Sequence, residues 1–254
     1  MTIRDEKIRK STENIMKNIE KTWKKKLTKN DIKESYKNIR EGIAMPKLSN
    51  GLSEVEIERK IKYYINAIKC LPNFTNGIIT ESQIKQINYF VLNNKCGSSE
   101  YRSGSVNVGD MSGFFYHPPD VKYIPTMMED LLIWLNNEQQ ELKAKQKEKF
   151  EIFSVAGIFH YRFLKIHPFQ DGNGRTAMLL TKLILMDEYI EYKEFLQHSS
   201  VEYLRVDYPL YSKILGCGDI INGQIKTINE NTDLTPWLIY FLEKLELLTI
   251  KDIN

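Results

Sequence analysis

One proline between two long apolar runs sets the architecture of this chain. Residues 149–166 form a stretch apolar on most faces, long enough to be a buried helix, and residues 176–186 form a second. Between them Pro168 pushes His167 out of helical backbone, so the first helix has to stop there. The joint is nine residues, His-Pro-Phe-Gln-Asp-Gly-Asn-Gly-Arg at 167–175, and it is predicted to be a glycine-bearing loop that opens straight onto the second helix. Backbone N–H groups at a helix start have no partner within the helix and lie at the positive end of its dipole, an arrangement that binds phosphate.

Each residue type in the joint suits a task in such a site. Asp171 offers a hard carboxylate oxygen of the kind magnesium prefers, and magnesium commonly shares its coordination with nucleotide phosphates. Gly172 and Gly174 let backbone approach an anion with no side chain between them. Asn173 adds a neutral donor and Arg175 a forked cationic one. His167 titrates near neutrality and can take a proton from an incoming hydroxyl. A base, a metal ligand and an anion cradle together describe phosphoryl or nucleotidyl transfer. Two blander readings compete. Gly172-x-Gly174-x-x-Ala177 fits the dinucleotide-binding fingerprint, but that needs a preceding strand and here a helix precedes it. A glycine-rich helix-to-helix turn without chemistry is the other.

With these residues in view the chain resembles the Fic family, whose signature runs His-x-Phe-x-Asp/Glu-Gly-Asn-Gly-Arg-x-x-Arg. Upstream segments support the resemblance: Glu100-Tyr101-Arg102, Val106-Asn107-Val108-Gly109, Tyr116-His117-Pro118-Pro119, Met127 to Leu131, and Ile133-Trp134-Leu135-Asn136. The similarity is read over residues 10–245. It implies an all-α Fic-type helical bundle with a small β-hairpin flap, and a protein adenylyltransferase that moves AMP from Mg-ATP to a Ser, Thr or Tyr hydroxyl of a target protein or of itself. By that resemblance His167 is the general base, Asp171 the Mg2+ ligand, and Gly172, Asn173, Gly174 and Arg175 the nucleotide cradle. The flap, Val106, Asn107, Val108 and Gly109, would position the target, since an extended segment can add to an exposed strand edge. Doc kinases carry lysine at the second motif glycine, so Gly174 points to the adenylyltransferase branch. Two alternatives stay open: a catalytically weak nucleotide-binding regulator, and a transferase of another phosphodiester-linked group such as UMP or phosphocholine.

The pattern is departed from in two places. The final motif arginine falls on Met178, and Lys182, one turn further, is expected to point away from the helix start. Many family members also carry an inhibitory helix ending Ser/Thr-x-x-x-Glu-Gly/Asn. Glu41-Gly42 matches its end, but Lys37 stands at the serine position, with Ser35 two residues early. Both partners of that lock are altered. Without the resemblance, Glu41-Gly42 reads as a helix C-terminus with Gly42 as its left-handed cap.

Composition sets the outer bounds. The 254 residues suffice for a substantial core, and a net charge of +3 gives no ground to expect nucleic acid. Charge is uneven, with 13 Lys/Arg against 6 Asp/Glu in residues 1–40, which suits a solvated basic helix face or an acidic partner surface. Cys70, Cys96 and Cys217 are odd in number and far apart, as neither a disulfide framework nor a zinc site would be. The first residues lack the apolar core of a signal peptide and no run is long enough to span a membrane, so a cytoplasmic location is the default, with injection into a host cell left open. Homo-oligomerisation also stays open. Helices are expected at 52–71, from Thr80 to about Asn93 behind a Thr80-x-x-Gln83 capping box, at 123–145, 203–215 and 236–248, with one or two more before residue 41. Tyr211 is placed either near the nucleotide or in the core. The expected division is an N-terminal helical region at 1–97 with a candidate inhibitory helix, a Fic core at 98–225, and a C-terminal helix at 226–254.

Overall fold

The computed structural model of the chain describes residues 6–23, 37, 39–41, 52–75, 77–93, 97–109, 115–144, 151–189, 196, 201–205, 210–211, 214–215, 220–221, 224–225 and 233–251. Seven helices of more than three turns account for most of these: α1 (Glu6–Trp23), α2 (Glu54–Cys70), α3 (Glu81–Asn93), α4 (Ile124–Lys143), α5 (Glu151–Ile166), α6 (Asn173–Glu188) and α7 (Thr235–Lys251). Short 3-10 turns lie at Leu71–Phe74, Val121–Tyr123 and Val201–Arg205.

Local chemistry explains where the helices start. Ser53 caps α2 in a reciprocal box with Glu56, a Ser-x-x-Glu signal that lies in plain sequence. Thr80 and Gln83 exchange the same pair of bonds at the start of α3, with Thr80 N donating to Gln83 Oε1 at 2.9 Å and Gln83 N to Thr80 Oγ1 at 3.3 Å. Pro125 sits in the first turn of α4, where its missing N–H is harmless.

The centre of the molecule is the α5–α6 pair. Every α5 residue from Ile152 to Ile166 is buried except Arg162, and α6 is buried continuously from Arg175 to Met186. Helices apolar on all faces need neighbours on all sides. α4 and α7 pack on α5, α3 packs on α6, α2 packs on α3, and α1 packs on α7. One contiguous core draws on all seven, so the three stretches expected from sequence share a single interior.

Strand content is small. Val108–Gly109 (β1) pairs antiparallel with Phe115–Tyr116 (β2), in the register Val108↔Tyr116 and Gly109↔Phe115. Ile220–Ile221 (β3) pairs with Gln224–Ile225 (β4). Tyr116 is buried and its hydroxyl donates to the Lys165 carbonyl, which ties β2 to the last turn of α5. No helix among the described residues is long and apolar enough to cross a membrane.

Candidate active site

The site grows from the way α5 ends. His167 N–H donates to Phe163 O at 3.0 Å, closing the final turn, while His167 itself adopts a left-handed conformation at φ 50°. A helix commonly ends on such a residue, usually a glycine. Here a histidine takes the position, and Pro168 prevents any continuation. Arg102, itself buried, holds the strained residue in place. Its Nε donates to His167 O at 2.8 Å, Nη1 to Gly104 O at 3.1 Å, and Nη2 to Pro119 O. Its backbone N–H donates to Pro168 O at 2.8 Å.

The turn into α6 is closed from within. Phe169 N–H donates to Asn173 Oδ1 at 3.0 Å and Asn173 Nδ2 to Phe169 O at 2.7 Å, so the buried Asn173 amide bridges the loop's two ends. Gly172, at φ 86°, is the residue before the helix and accepts Thr176 N–H at 2.9 Å. A side chain there would be strained and would meet Asn88 Nδ2 at 2.8 Å. Asn88 itself, on α3, donates to Asp171 O at 3.0 Å and Thr176 Oγ1 at 3.1 Å. The N–H groups of Asn173, Gly174 and Arg175 come before the first intrahelical bond, which makes this turn the positive end of α6.

Charge gathers at the same end. Asp171 Oδ1 accepts Gly172 N–H at 2.6 Å. Its Oδ2 receives Lys60 Nζ at 2.8 Å and Arg175 Nη2 at 3.4 Å. Arg175 is buried and also donates to Val91 O at 2.7 Å. Arg205 approaches the next residue: a Cβ on Gly174 would meet its Nη1 at 2.9 Å. Two cations thus pair with one carboxylate at a helix N-terminus, and a third stands against Gly174 in the same turn.

His167 titrates well below a free imidazole, at about 4. Burial is the main cause and the Arg102 charge adds to it, while a hydrogen bond with Leu164 and the Asp171 charge act the other way. The imidazole is therefore neutral at pH 7. A second histidine, His160, is fully buried and held at about 3 by burial and the nearby Arg205. It contacts Thr181 Oγ1 and Tyr211 OH, both at 2.9 Å, and stacks on Trp237.

Several sequence expectations land differently. The helix expected from residue 176 begins at Asn173, so Asn173, Gly174 and Arg175 form its first turn rather than a loop. Asn173 and Arg175 carry bonds to the protein itself, and the space beside Gly174 is taken by a guanidinium. Of the two settings offered for Tyr211, the hydroxyl sits on buried His160 in the core. Met178 is fully buried. Lys182 is also buried and pairs with Glu202 at 3.1 Å, with Tyr64 OH donating to the same Glu202 oxygen. Glu41 is an exposed helical residue next to Arg40, which forms a two-pronged pair with Glu58. Gly42, Lys24, Lys25 and Lys26 lie outside the described residues. In the flap segment Val106 lies outside the paired residues, and Asn107 Oδ1 meets His117 Nδ1 at 2.8 Å.

Sequence reasoning missed Lys60, Asn88 and Arg205, and took Arg102 only as part of a resemblance. Asn88 did leave a signal. It stands among Ile84, Ile87 and Val91 on the buried stripe of α3, where a polar residue needs a partner. Lys60 and Arg205 look in sequence like any other surface cations.

Residues 78–185 match the Fic/DOC family. A protein adenylyltransferase Fic from Aedes aegypti is 35% identical over 125 residues, which is 48% of this chain and 22% of that protein. The chain spans less than a quarter of such relatives' length. Among solved structures, a Fic family protein from Desulfovibrio desulfuricans G20 superposes with a TM-score of 0.78 at 20% identity, over 100% of this chain and 75% of that one. Fic-1 from C. elegans (residues 134–508) superposes with a TM-score of 0.63 at 18% identity, over 97% of this chain and 72% of its own. At those identities the superpositions speak for the fold.

Proposed function

The chain carries a Fic/DOC family domain at residues 78–185, and from the site this domain builds we propose that it is a protein adenylyltransferase. It moves AMP from ATP to a Ser, Thr or Tyr hydroxyl of a target protein, itself included. The supporting observation is the convergence, within five residues, of a neutral His167 and an Asp171 carboxylate on the N-terminus of α6. Relatives named as adenylyltransferases make AMP the donor group of choice.

His167 takes the proton of the target hydroxyl as its oxygen forms a bond to the α-phosphorus. The bond between that phosphorus and the bridging oxygen breaks, and pyrophosphate leaves with the electron pair. An imidazole held neutral is ready to accept that proton at pH 7 without first losing one of its own. The N–H groups of Asn173, Gly174 and Arg175 stabilise the charge that grows on the phosphoryl oxygens. Arg175 supports the cradle from behind, by fixing Asp171 and the end of α3.

Asp171 fits Mg2+. Among the described residues no group of three or more His, Cys, Asp or Glu gathers to hold a metal. A lone half-exposed carboxylate is what an ion that takes its other ligands from phosphate and water requires. Bound there, Mg2+ would neutralise phosphate charge and orient the leaving group. In this reading the segment at Val106, Asn107, Val108 and Gly109, of which Val108 and Gly109 pair with β2, is where a target backbone would align. The exposed Glu41, with Gly42, is kept as the candidate inhibitory pair.

The test is transfer of label from α-labelled ATP to the chain itself and to a lysate. His167→Ala is expected to lower the rate by about 10²- to 10⁴-fold while nucleotide binding persists. More than a tenth of the wild-type rate in that variant rules out His167 as the base. The burial of Met178, where a family arginine would stand, favours one second reading, a nucleotide-binding regulator. That reading requires nucleotide binding without transfer in the same assay.

A further inference from the structure

Asp171 is reached by a cation from outside the family-matched region. Lys60, on α2, places Nζ 2.8 Å from Asp171 Oδ2, across 111 residues of sequence. Its side chain is 19% exposed against 48% for the carboxylate, so the contact sits at the mouth of the site. α2 is held firmly in that position. Ile57, Ile61, Tyr64, Ala67 and Ile68 are buried, Tyr64 donates to the fully buried Glu202 one turn beyond Lys60, and Glu58 pairs with Arg40. The ammonium therefore does not sweep a wide arc; its helix delivers it to the carboxylate.

Two further donors to Asp171 belong to the turn itself. Gly172 N–H takes Oδ1, and Arg175, buried behind the loop, takes Oδ2 from the protein side. The ammonium reaches Oδ2 from a different helix, at the partly exposed face of the carboxylate where a cation entering from solvent would arrive. We infer that Lys60 stands in for the metal at Asp171, and that a metal–nucleotide complex must displace it to bind. This rests on the reading of Asp171 as the Mg2+ ligand. α2 then does more than complete the core: it sets the Mg2+ concentration at which the site loads. A like-charged neighbour raises that concentration twice over, by competing for Oδ2 and by repelling the incoming ion.

The sign of the effect separates this role from the obvious alternative. A lysine that binds phosphate makes nucleotide binding weaker when removed; a lysine that occupies the metal position makes Mg2+ binding tighter. Binding of α,β-methylene ATP, which cannot be cleaved at the reacting bond, is measured by calorimetry at stepped Mg2+ concentrations for the full chain, Lys60→Met and Lys60→Arg. Lys60→Met is expected to lower the Mg2+ concentration for half-maximal binding about fivefold to tenfold, the scale of a charge-assisted contact discounted for its exposure. Affinity at saturating Mg2+ should stay within about twofold, and Lys60→Arg should stay near wild type. Thermal melting of each variant without ligand confirms that the fold is intact. An unchanged or raised Mg2+ requirement in Lys60→Met overturns the inference, as does weaker binding at saturating Mg2+. A wild-type chain that binds the analogue with no dependence on Mg2+ overturns the assignment of Asp171, and the role of Lys60 falls with it.

Discussion

Replacing Arg102 by lysine keeps the charge and removes the fork. Three side-chain donations, to the carbonyls of His167, Gly104 and Pro119, join three segments through one guanidinium. A lysine can hold one of those carbonyls in that geometry. Losing two bonds from a charged donor, at about 1–1.5 kcal/mol each for carbonyls that water can partly reach, removes roughly 2–3 kcal/mol of stability. For a domain of this size that lowers Tm by about 5–10 °C. The effect on activity should be larger than the effect on stability suggests. His167 sits at φ 50°, a conformation that costs about 1–2 kcal/mol for a residue with a Cβ. Once its carbonyl is no longer pinned, the residue has reason to relax, and a displacement of about 1 Å at a reacting group costs on the order of 10²-fold. In the proposed function ATP is held by the α6 turn, whereas the Arg102 side chain bonds to the carbonyls of His167, Gly104 and Pro119. We expect Arg102→Lys to lower kcat about 30- to 100-fold while the Kd for ATP changes less than about threefold. Transfer kinetics, nucleotide binding and melting on the same preparation test this. A kcat within about threefold of wild type, or a loss of ATP affinity that matches the loss of rate, would refute the argument that Arg102 acts by positioning His167.

Two further outcomes follow from the same geometry. Transfer should be level from pH 8 to about 5 and fall as pH drops through about 4, because the active base is the unprotonated imidazole and burial holds its pKa there; half-loss near 6.5 in a pH–rate profile, with folding monitored by circular dichroism, contradicts it. The linked stability has the same sign, since the unfolded chain takes up this proton first and the contribution of neutral His167 fades as pH falls from about 6.5 towards 4. Gly172→Ala should lower unfolding free energy by about 2–4 kcal/mol in urea, from left-handed strain at φ 86° plus the loss of one or both Asn88 bonds; a change under about 0.5 kcal/mol shows that the turn relaxes freely.

What could be read from sequence was whatever depends on neighbours along the chain. The stop at Pro168, the Thr80–Gln83 box, the two all-apolar helices and the motif between them are local patterns with local causes. The helix start at Asn173 was misplaced because a glycine and an asparagine look like loop formers, whereas the Asn173 amide clamps Phe169 and lets the turn tighten one step earlier. The partners of the site were out of reach for a different reason. Lys60, Asn88, Arg102 and Arg205 come from four segments far from the motif, and which of many cations meets Asp171 or Gly174 is decided by how α2 and the Val201–Arg205 turn dock. The role of Gly174 shows the limit well. Its missing side chain could serve a phosphate or a neighbour, and only the packing reveals the Arg205 guanidinium against it.

The contact between α1 and α7 bears on how the chain acquires its structure. Ile8 and Ile15 are buried, Lys7 pairs with Glu243 at 3.1 Å, and these partners are separated by more than two hundred residues of sequence. Closing so long a loop carries an entropic penalty that rises only slowly with length, yet it must be met before the contact repays it. During synthesis α1 is made long before α7, so the part of its buried stripe that rests on α7 stays uncovered until α7 arrives. The α5–α6 pair, joined by a six-residue turn, can assemble early and locally. Folding should therefore proceed from the α5–α6 hairpin outwards, with that hairpin in place before α1 has found its seat on α7.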